Sequence, residues 1–410
     1  MQSPIPFLCF LSDNENYNQL CLRYWACGQE GDWLEDLNQI VSDSGISKSN
    51  LSKFIKSNSC AYVLSSRCGL CNNPAELSSR SDFVTSKRRL LNGQYPNYDG
   101  ICDACKAFQR AEQKQLEKTK KEEFETKVLA LIRPIESNFS AYDYNLLSYV
   151  NAVLLYSLLI SANDNWQDNH IDALDSQTAP LAPTRDLSIE IYRKMYKEGI
   201  ICPSSTSELS AFTLDKDNPN NFSFLLNKVD WVLASDRSGL PSSGLLELLE
   251  EALNYPDESS LKELWFLVAE NECQRYFSEQ CDQYRFSSEH LYTEKVADSI
   301  KYSLERLSIP QVWNVIWCVI RNIAALMQNR NYSRQHVYNM IPGNIRRDVD
   351  KRLANNIPIK PWNRQNHDNE SFLTSIMFDK ILQGGTAAFE VINGTTIMTF
   401  LDTGDSADLA

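Results

Sequence analysis

Apolar residues recur at helical spacing through most of the chain. In Asp36 to Lys56, positions Leu37, Ile40, Val41, Ile46, Leu51, Phe54 and Ile55 follow that spacing around Gly45, which predicts two short helices joined by a tight turn. Ser47 stands where it can cap the second helix. From Lys106 to Arg133 the text is charged and helix-favouring, with a thin apolar stripe of Leu116, Phe124, Val128 and Leu131. An exposed connector helix ending before Pro134 is expected there. Beyond residue 140 the pattern predicts a long helical body, with helices near 141–162, 185–199, 243–254, 259–283, 287–307, 310–329 and 344–354. Polar loops interrupt it at 163–184 and 203–222. Near the C-terminus, two β-rich runs flank Asn393-Gly394, which predicts a hairpin over 386–401 ahead of an acidic tail.

A chain of 410 residues is long enough for two to four domains, each with its own core. The opening MQSPIPFLCFLSDNEN has no basic segment, and Pro4 and Pro6 break its apolar run, so no targeting peptide is expected. Leu146–Ala162 is short for a membrane span and carries Asn151, while Val312–Met327 contains Arg321. Both are expected to be buried helices.

Net charge is −13, but the distribution is uneven. Ser44 to Arg110 holds ten basic residues against four acidic ones, a net of +6, which leaves −19 for the remainder. This asymmetry suggests an electropositive docking surface on an acidic body. The helix pair around Gly45 lies within the basic stretch and resembles a helix-turn-helix, although many helical hairpins without a DNA partner share the pattern. Lys48, Asn50, Lys53 and Lys56 would face outward from the second helix. With Arg67 and the run Lys87-Arg88-Arg89, they are the candidate nucleic-acid contacts. Further on, LSIEIYRKMYKEGIICPSS resembles the end of a winged helix, with a helix, a turn at Gly199 and a short strand.

Cys68, Cys71, Cys102 and Cys105 form two C-x-x-C pairs. Two residues between thiolates let both sulfurs reach one ion, and two such turns supply the four soft ligands preferred by tetrahedral Zn²⁺. Four protein ligands leave no open position, so the expected role is structural; the competing reading is four reduced thiols packed in a core. The second pair leads into a helical pattern, as in a treble clef. The frame also resembles the zinc scaffold of HNH nucleases, but no histidine lies between Cys71 and Cys102, so cleavage chemistry is not expected there. The other eight of the twelve cysteines lack paired spacing, which points to small core residues in a reducing, cytoplasmic setting.

Four histidines limit the remaining chemistry. The run from Asp164 to Asp172 gathers three carboxylates around His170; it lacks a calcium-loop glycine and is expected to be a polar loop. Arg330, Asn331 and His336 resemble the arginine–polar–histidine motif of HEPN ribonucleases, which are helical and usually dimeric. The resemblance implies phosphate stabilisation by Arg330 and assistance to a 2′-hydroxyl by His336. Phosphate-cradling loops and a serine nucleophile elbow are absent from the sequence.

Together these patterns predict a mainly α, multidomain protein with a small four-cysteine, zinc-stapled module near the N-terminus, a large helical body and a C-terminal β-hairpin. Its expected segments are a helix-turn-helix-like 1–60, a zinc module at 61–110, a connector at 111–135, a body at 136–356 and a C-terminal segment at 357–410. The expected function is non-enzymatic: a Zn²⁺-containing regulator or adaptor whose basic N-terminal third binds nucleic acid, most readily DNA, and whose acidic body meets a protein partner. The alternatives are a ribonuclease toxin or defence effector using Arg330 and His336, and an adaptor in which zinc is purely structural.

Overall fold

Amphipathic helices with small sheets between them build the protein. The computed structural model describes residues 5–29, 31–91, 102–162, 164–218, 220–287, 291–328, 333–362 and 370–397. The chain divides into two compact units, residues 1–123 and 124–410.

In the first unit the order is β1 (Phe7–Phe10), α1 (Glu15–Trp25), α2 (Leu37–Ser44), α3 (Lys48–Asn58), β2 (Ser59–Arg67), β3 (Pro74–Leu77) and α4 (Arg80–Leu91). Asp36 caps α2, accepting from the Asn38 N–H at 2.7 Å. Gly45 ends it in the left-handed region at φ 65°, a conformation that a Cβ disfavours. Ser47 precedes α3, yet its hydroxyl makes no side-chain cap and meets Ser49 instead. The strands form an antiparallel sheet in the order β1-β2-β3. Because strand side chains alternate, Ala61, Val63 and Leu77 share a core with Trp25, Ile40, Leu51, Ile55 and Phe83. The sheet thus draws strands from both sides of residue 60.

Arg80, only 6 % exposed, clamps this core. Its guanidinium donates to the carbonyls of Tyr24 at 2.6 Å, Glu35 at 2.8 Å and Arg23 at 3.3 Å, and lies 4.5 Å from the Trp33 ring. The α1 carbonyls left without helical partners are thereby satisfied by a cation.

Helix α5 (Asp103–Ser137) carries the chain from one unit into the other. It continues through Pro134 rather than ending before it. The missing proline N–H falls near the last turn, and the helix is held on both sides of it. Val128 and Ile132 are buried in the second core, and Glu136 accepts from the Ser205 N–H at 3.1 Å.

The second unit has one continuous hydrophobic core. Helix α6 (Tyr149–Ser161) is apolar and buried on nearly every side, as expected for Leu146–Ala162. It starts later than the pattern implied, because Tyr144 is strapped to the Ala234 carbonyl at 2.7 Å. Next come β4 (His170–Ile171), α7 (Arg185–Lys197), β5 (Ile201–Pro203), the hairpin β6 (Phe212–Leu214) and β7 (Phe222–Phe224), and β8 (Trp231–Leu233). Gly199, at φ 72°, turns α7 into β5, as the sequence implied. The second sheet has the antiparallel order β4-β8-β5.

Helices α8 (Ser242–Ala252), α9 (Glu258–Gln283), α10 (Glu294–Leu304), α11 (Ile309–Met327), α12 (Arg334–Asn339) and α13 (Ile341–Ala354) follow; α8, α9, α11 and α13 lie close to predicted spans, α10 is shorter than expected and α12 was not predicted. Helix α11 is long and apolar enough to cross a membrane by length and composition, and half of its apolar window is buried within the protein. Glu272, fully buried on α9, accepts from Thr374 at 2.7 Å and Arg275 at 2.8 Å.

The predicted C-terminal hairpin is not formed. After α14 (Phe372–Ser375) and a π-helical turn, residues Gly385–Val391 make helix α15; residues 398–401 lie outside the described residues. Ala388, Phe389 and Ile392 are buried at helical spacing, and Phe389 packs edge-on to Trp313 and Phe378. Asn393 accepts from the N–H groups of Thr395 and Thr396, while the Gly394 N–H reaches the Leu304 carbonyl at 2.8 Å. A Cβ at Gly394 would stand 2.5 Å from Phe266 Cζ and 3.1 Å from Glu305 Cα. Glycine serves close approach here, not a type I′ turn.

Gly394→Ala is therefore expected to cost about 1–3 kcal/mol, read as a lower urea midpoint by tryptophan fluorescence. Glu272→Ala, which removes one of the two carboxylates on the half-buried Arg275 and the acceptor of buried Thr374, should cost about 1–3 kcal/mol. Thr374→Val should cost less, about 1–2 kcal/mol. Unchanged midpoints would contradict these packing assignments.

Candidate metal centre

Strand β2 ends at Arg67, and the chain turns sharply at the first cysteine pair. The Cys68 N–H donates to the Asn73 carbonyl at 2.8 Å, and the Asn72 N–H returns to the Cys68 carbonyl at 3.0 Å. Asn72 takes φ 57°, a left-handed conformation that asparagine accepts more readily than most residues. The second pair straddles a helix start. Cys102 immediately precedes α5, its carbonyl accepts from the Lys106 N–H at 2.9 Å, and Cys105 lies in the first turn.

These two turns bring the four sulfurs within 4.8 Å of one another. Cys71 and Cys102 Sγ are 3.7 Å apart. A tetrahedron with sulfurs about 2.3 Å from a central ion has an edge of about 3.8 Å, so this spacing suits a shared cation. A disulfide would need about 2.0 Å, and all four cysteines are free.

The electrostatics agree. Cys68 Sγ accepts from the N–H groups of Cys102 at 3.3 Å and Leu70 at 3.5 Å. Backbone donors, that of Cys102 first, hold its thiol down to about 6. The neighbouring sulfurs, Cys102 first and then Cys71, push Cys105 up to about 12. The Cys68 thiolate is thus favoured by backbone dipoles, while that of Cys105 is opposed by its sulfur neighbours, a charge a cation would offset. The donor set can hold a metal ion. A cleft of about 550 Å³ beside it is lined by both signs of charge, including Lys56 and Lys106 against Glu76 and Asp82.

The predicted nucleic-acid contacts do not all share one environment. Lys48, Asn50, Lys53 and Lys56 are exposed on α3, whose Leu51 and Ile55 are buried. Arg67 is exposed and donates to the Asn72 carbonyl at 3.2 Å, bracing the first turn. Lys87 is half-buried and bonded to Asp32 at 3.0 Å. Arg88 is exposed, and the Arg89 side chain lies outside the described residues.

A second group of close ligand atoms was only partly legible. His170, Asp172 and Asp230 lie within 4.8 Å of one another. Pairing of β4 with β8, with Ile171 opposite Trp231, brings Asp230 to the other two across about sixty residues. Asp230 accepts from the Ala173 N–H at 2.9 Å, which ties the strand ends together. Of the ribonuclease-like motif, Arg330 and Asn331 lie outside the described residues, and His336 is exposed on α12. Among the other cysteines, Cys21, Cys202, Cys273 and Cys281 are buried, whereas Cys9 is exposed.

Comparison with protein-family models, with curated proteins and with solved structures found no match.

Replacing Cys71 or Cys102 with serine should lower bound metal below that of the unchanged protein, measured by elemental mass spectrometry. The same variants should lose hydrogen-exchange protection in β2, β3 and the start of α5 while α6 and α11 keep theirs. Unchanged protection around residues 60–80 would contradict the staple.

Proposed function

We propose that the protein is a zinc-containing nucleic-acid-binding regulator or adaptor without catalytic chemistry at the cysteine cluster. Zinc is the ion that four thiolates in a tetrahedral arrangement suit best. With all four positions filled by protein, such an ion organises backbone and leaves no place for substrate. The observation carrying the reading is the outer face of α3. Lys48, Asn50, Lys53 and Lys56 stand in solvent while Leu51 and Ile55 anchor the helix from beneath. Helix α2 and the Gly45 turn fix its entry, and β2, which follows α3 directly, leads to the metal-binding turn.

Exposed ammonium groups and an amide on one helix match phosphate oxygens and base edges, and duplex DNA is the preferred partner. Lys87 and Arg67 are engaged within the protein, so they contribute field rather than direct contacts. Outside the basic stretch the chain is strongly acidic, which suits contact with a basic protein partner and opposes non-specific coating of nucleic acid. Twelve cysteines without a disulfide among them fit a reducing compartment such as the cytoplasm.

The test is duplex DNA binding across a salt series. Affinity should fall steeply with salt, and Lys48→Gln/Lys53→Gln/Lys56→Gln should reduce the log–log slope by roughly 0.9 per lost phosphate contact. It should also weaken binding at least about tenfold at low salt, at roughly 1.4 kcal/mol per factor of ten. A flat salt response, or a triple variant that binds like the parent, would end this reading.

A further inference from the structure

The second unit, acidic as a whole, contains its own reversal of charge. Residues 301–360 hold ten lysines and arginines against three acidic residues, a net of +7. That matches the bias of the N-terminal stretch, but here it lies on helices packed together, α10 and α11 each against α13.

The three acids leave much of this charge facing water. Asp348 bonds Arg352 at 2.9 Å, Asp350 accepts from the Tyr302 hydroxyl at 2.6 Å, and Glu305 is half-buried. Arg306 and Arg346 are both exposed, and both guanidiniums lie on the Tyr302 ring, at 4.0 and 5.2 Å from its centre. Arg347 and Lys351 stand exposed beside Arg346 on α13, one and five residues along, on the side away from buried Ile345 and Val349. On α11, Arg321 lies 4.4 Å over Trp317, which stacks on Trp362 at 5.0 Å.

Guanidiniums held against aromatic rings keep their donors ordered and their charge available. Alternating planes and cations are the features that track a flexible strand, with phosphates meeting the cations and bases meeting the planes. Because Arg306 and Arg346 lie on the Tyr302 ring, the flat faces offered to bases are those of the guanidiniums; an acidic peptide, with charge but no flat bases, would leave them unused. We propose that the surface made by Tyr302, Arg306 and Arg346, continued by Arg347 and Lys351, binds a single-stranded nucleic acid through its phosphates. The class of partner rests on the nucleic-acid reading above; the contacts belong to a different unit.

Full-length protein is titrated against a fluorescein-labelled twenty-nucleotide RNA, the same sequence as DNA, and its duplex, with anisotropy as readout. Arg306→Gln/Arg346→Gln should weaken single-strand binding at least about tenfold and lower the salt slope by roughly 0.7 per lost phosphate contact. The Lys48/Lys53/Lys56 triple variant should leave single-strand affinity within about twofold, and the arginine variant should leave duplex affinity equally unchanged. If the glutamine variant does not fold, Arg306→Lys/Arg346→Lys serves instead, keeping the charge but losing the planar stack, with an expected three- to fivefold loss. Parent-like single-strand binding by the variant, an equal loss on duplex, or displacement by polyglutamate as readily as by unlabelled strand would overturn the proposal. Loss of both single strand and duplex in the lysine variant alone would overturn it while sparing the N-terminal reading; single-strand loss in the arginine variant with parent-like duplex binding by the lysine variant would do the reverse.

Discussion

Four cysteine sulfurs drawn to within 4.8 Å of each other impose a charge requirement on the first unit. Backbone N–H groups favour one thiolate, that of Cys68. The neighbouring sulfurs oppose a second one at Cys105. A divalent ion removes the conflict and turns mutual repulsion into four bonds. The turns that meet at the cluster come from distant stretches of chain, one closing β2 onto β3 and the other opening α5. A shared ion would therefore fix two backbone directions at once, a constraint that a small core, ten buried residues among the described ones, does not supply by itself.

From that anchor the remainder of the unit follows by short steps. Strand β2 runs back from the cluster to α3, so the lysines of α3 stand on backbone fixed at both ends, by the Gly45 turn and by the sheet. Arg80 holds the far side, binding three carbonyls and stacking on Trp33. Its charge is spent inside the unit, whereas Lys48, Lys53 and Lys56 point outward. A count of basic residues cannot make this distinction; burial and bonding can.

What the sequence disclosed follows the same physics. The long helices were legible because a 3.6-residue apolar period over ten or more positions is hard to produce by chance, and α9, α11 and α13 lie close to their expected spans. The cysteine spacing was legible because two residues between thiolates serve few other purposes. Apart from β5 after the Gly199 turn, the strands of the second unit were not, since β4, β6, β7 and β8 have two or three residues each, too few for alternation to register. Asn393-Gly394 misled for a specific reason: the glycine is demanded by Phe266 and Glu305 from across the core, while the local text reads as a turn. Pro134 misled because contacts beyond the helix, at Val128, Ile132 and Glu136, outweigh one missing donor. Asp230 was invisible as a neighbour of His170 because only strand pairing joins them.

Basic stretches of similar net charge thus occur in each unit of an acidic chain, one on α3 and one around Tyr302. The cysteine cluster bears on the first alone, and it is the claim most open to direct measurement. X-ray absorption at the edge of the metal that copurifies with the protein reports both the element and its neighbours. A zinc edge with four sulfurs at about 2.3 Å is the predicted result. No copurifying metal, or a first shell of nitrogen or oxygen at about 2.0–2.1 Å, would contradict it.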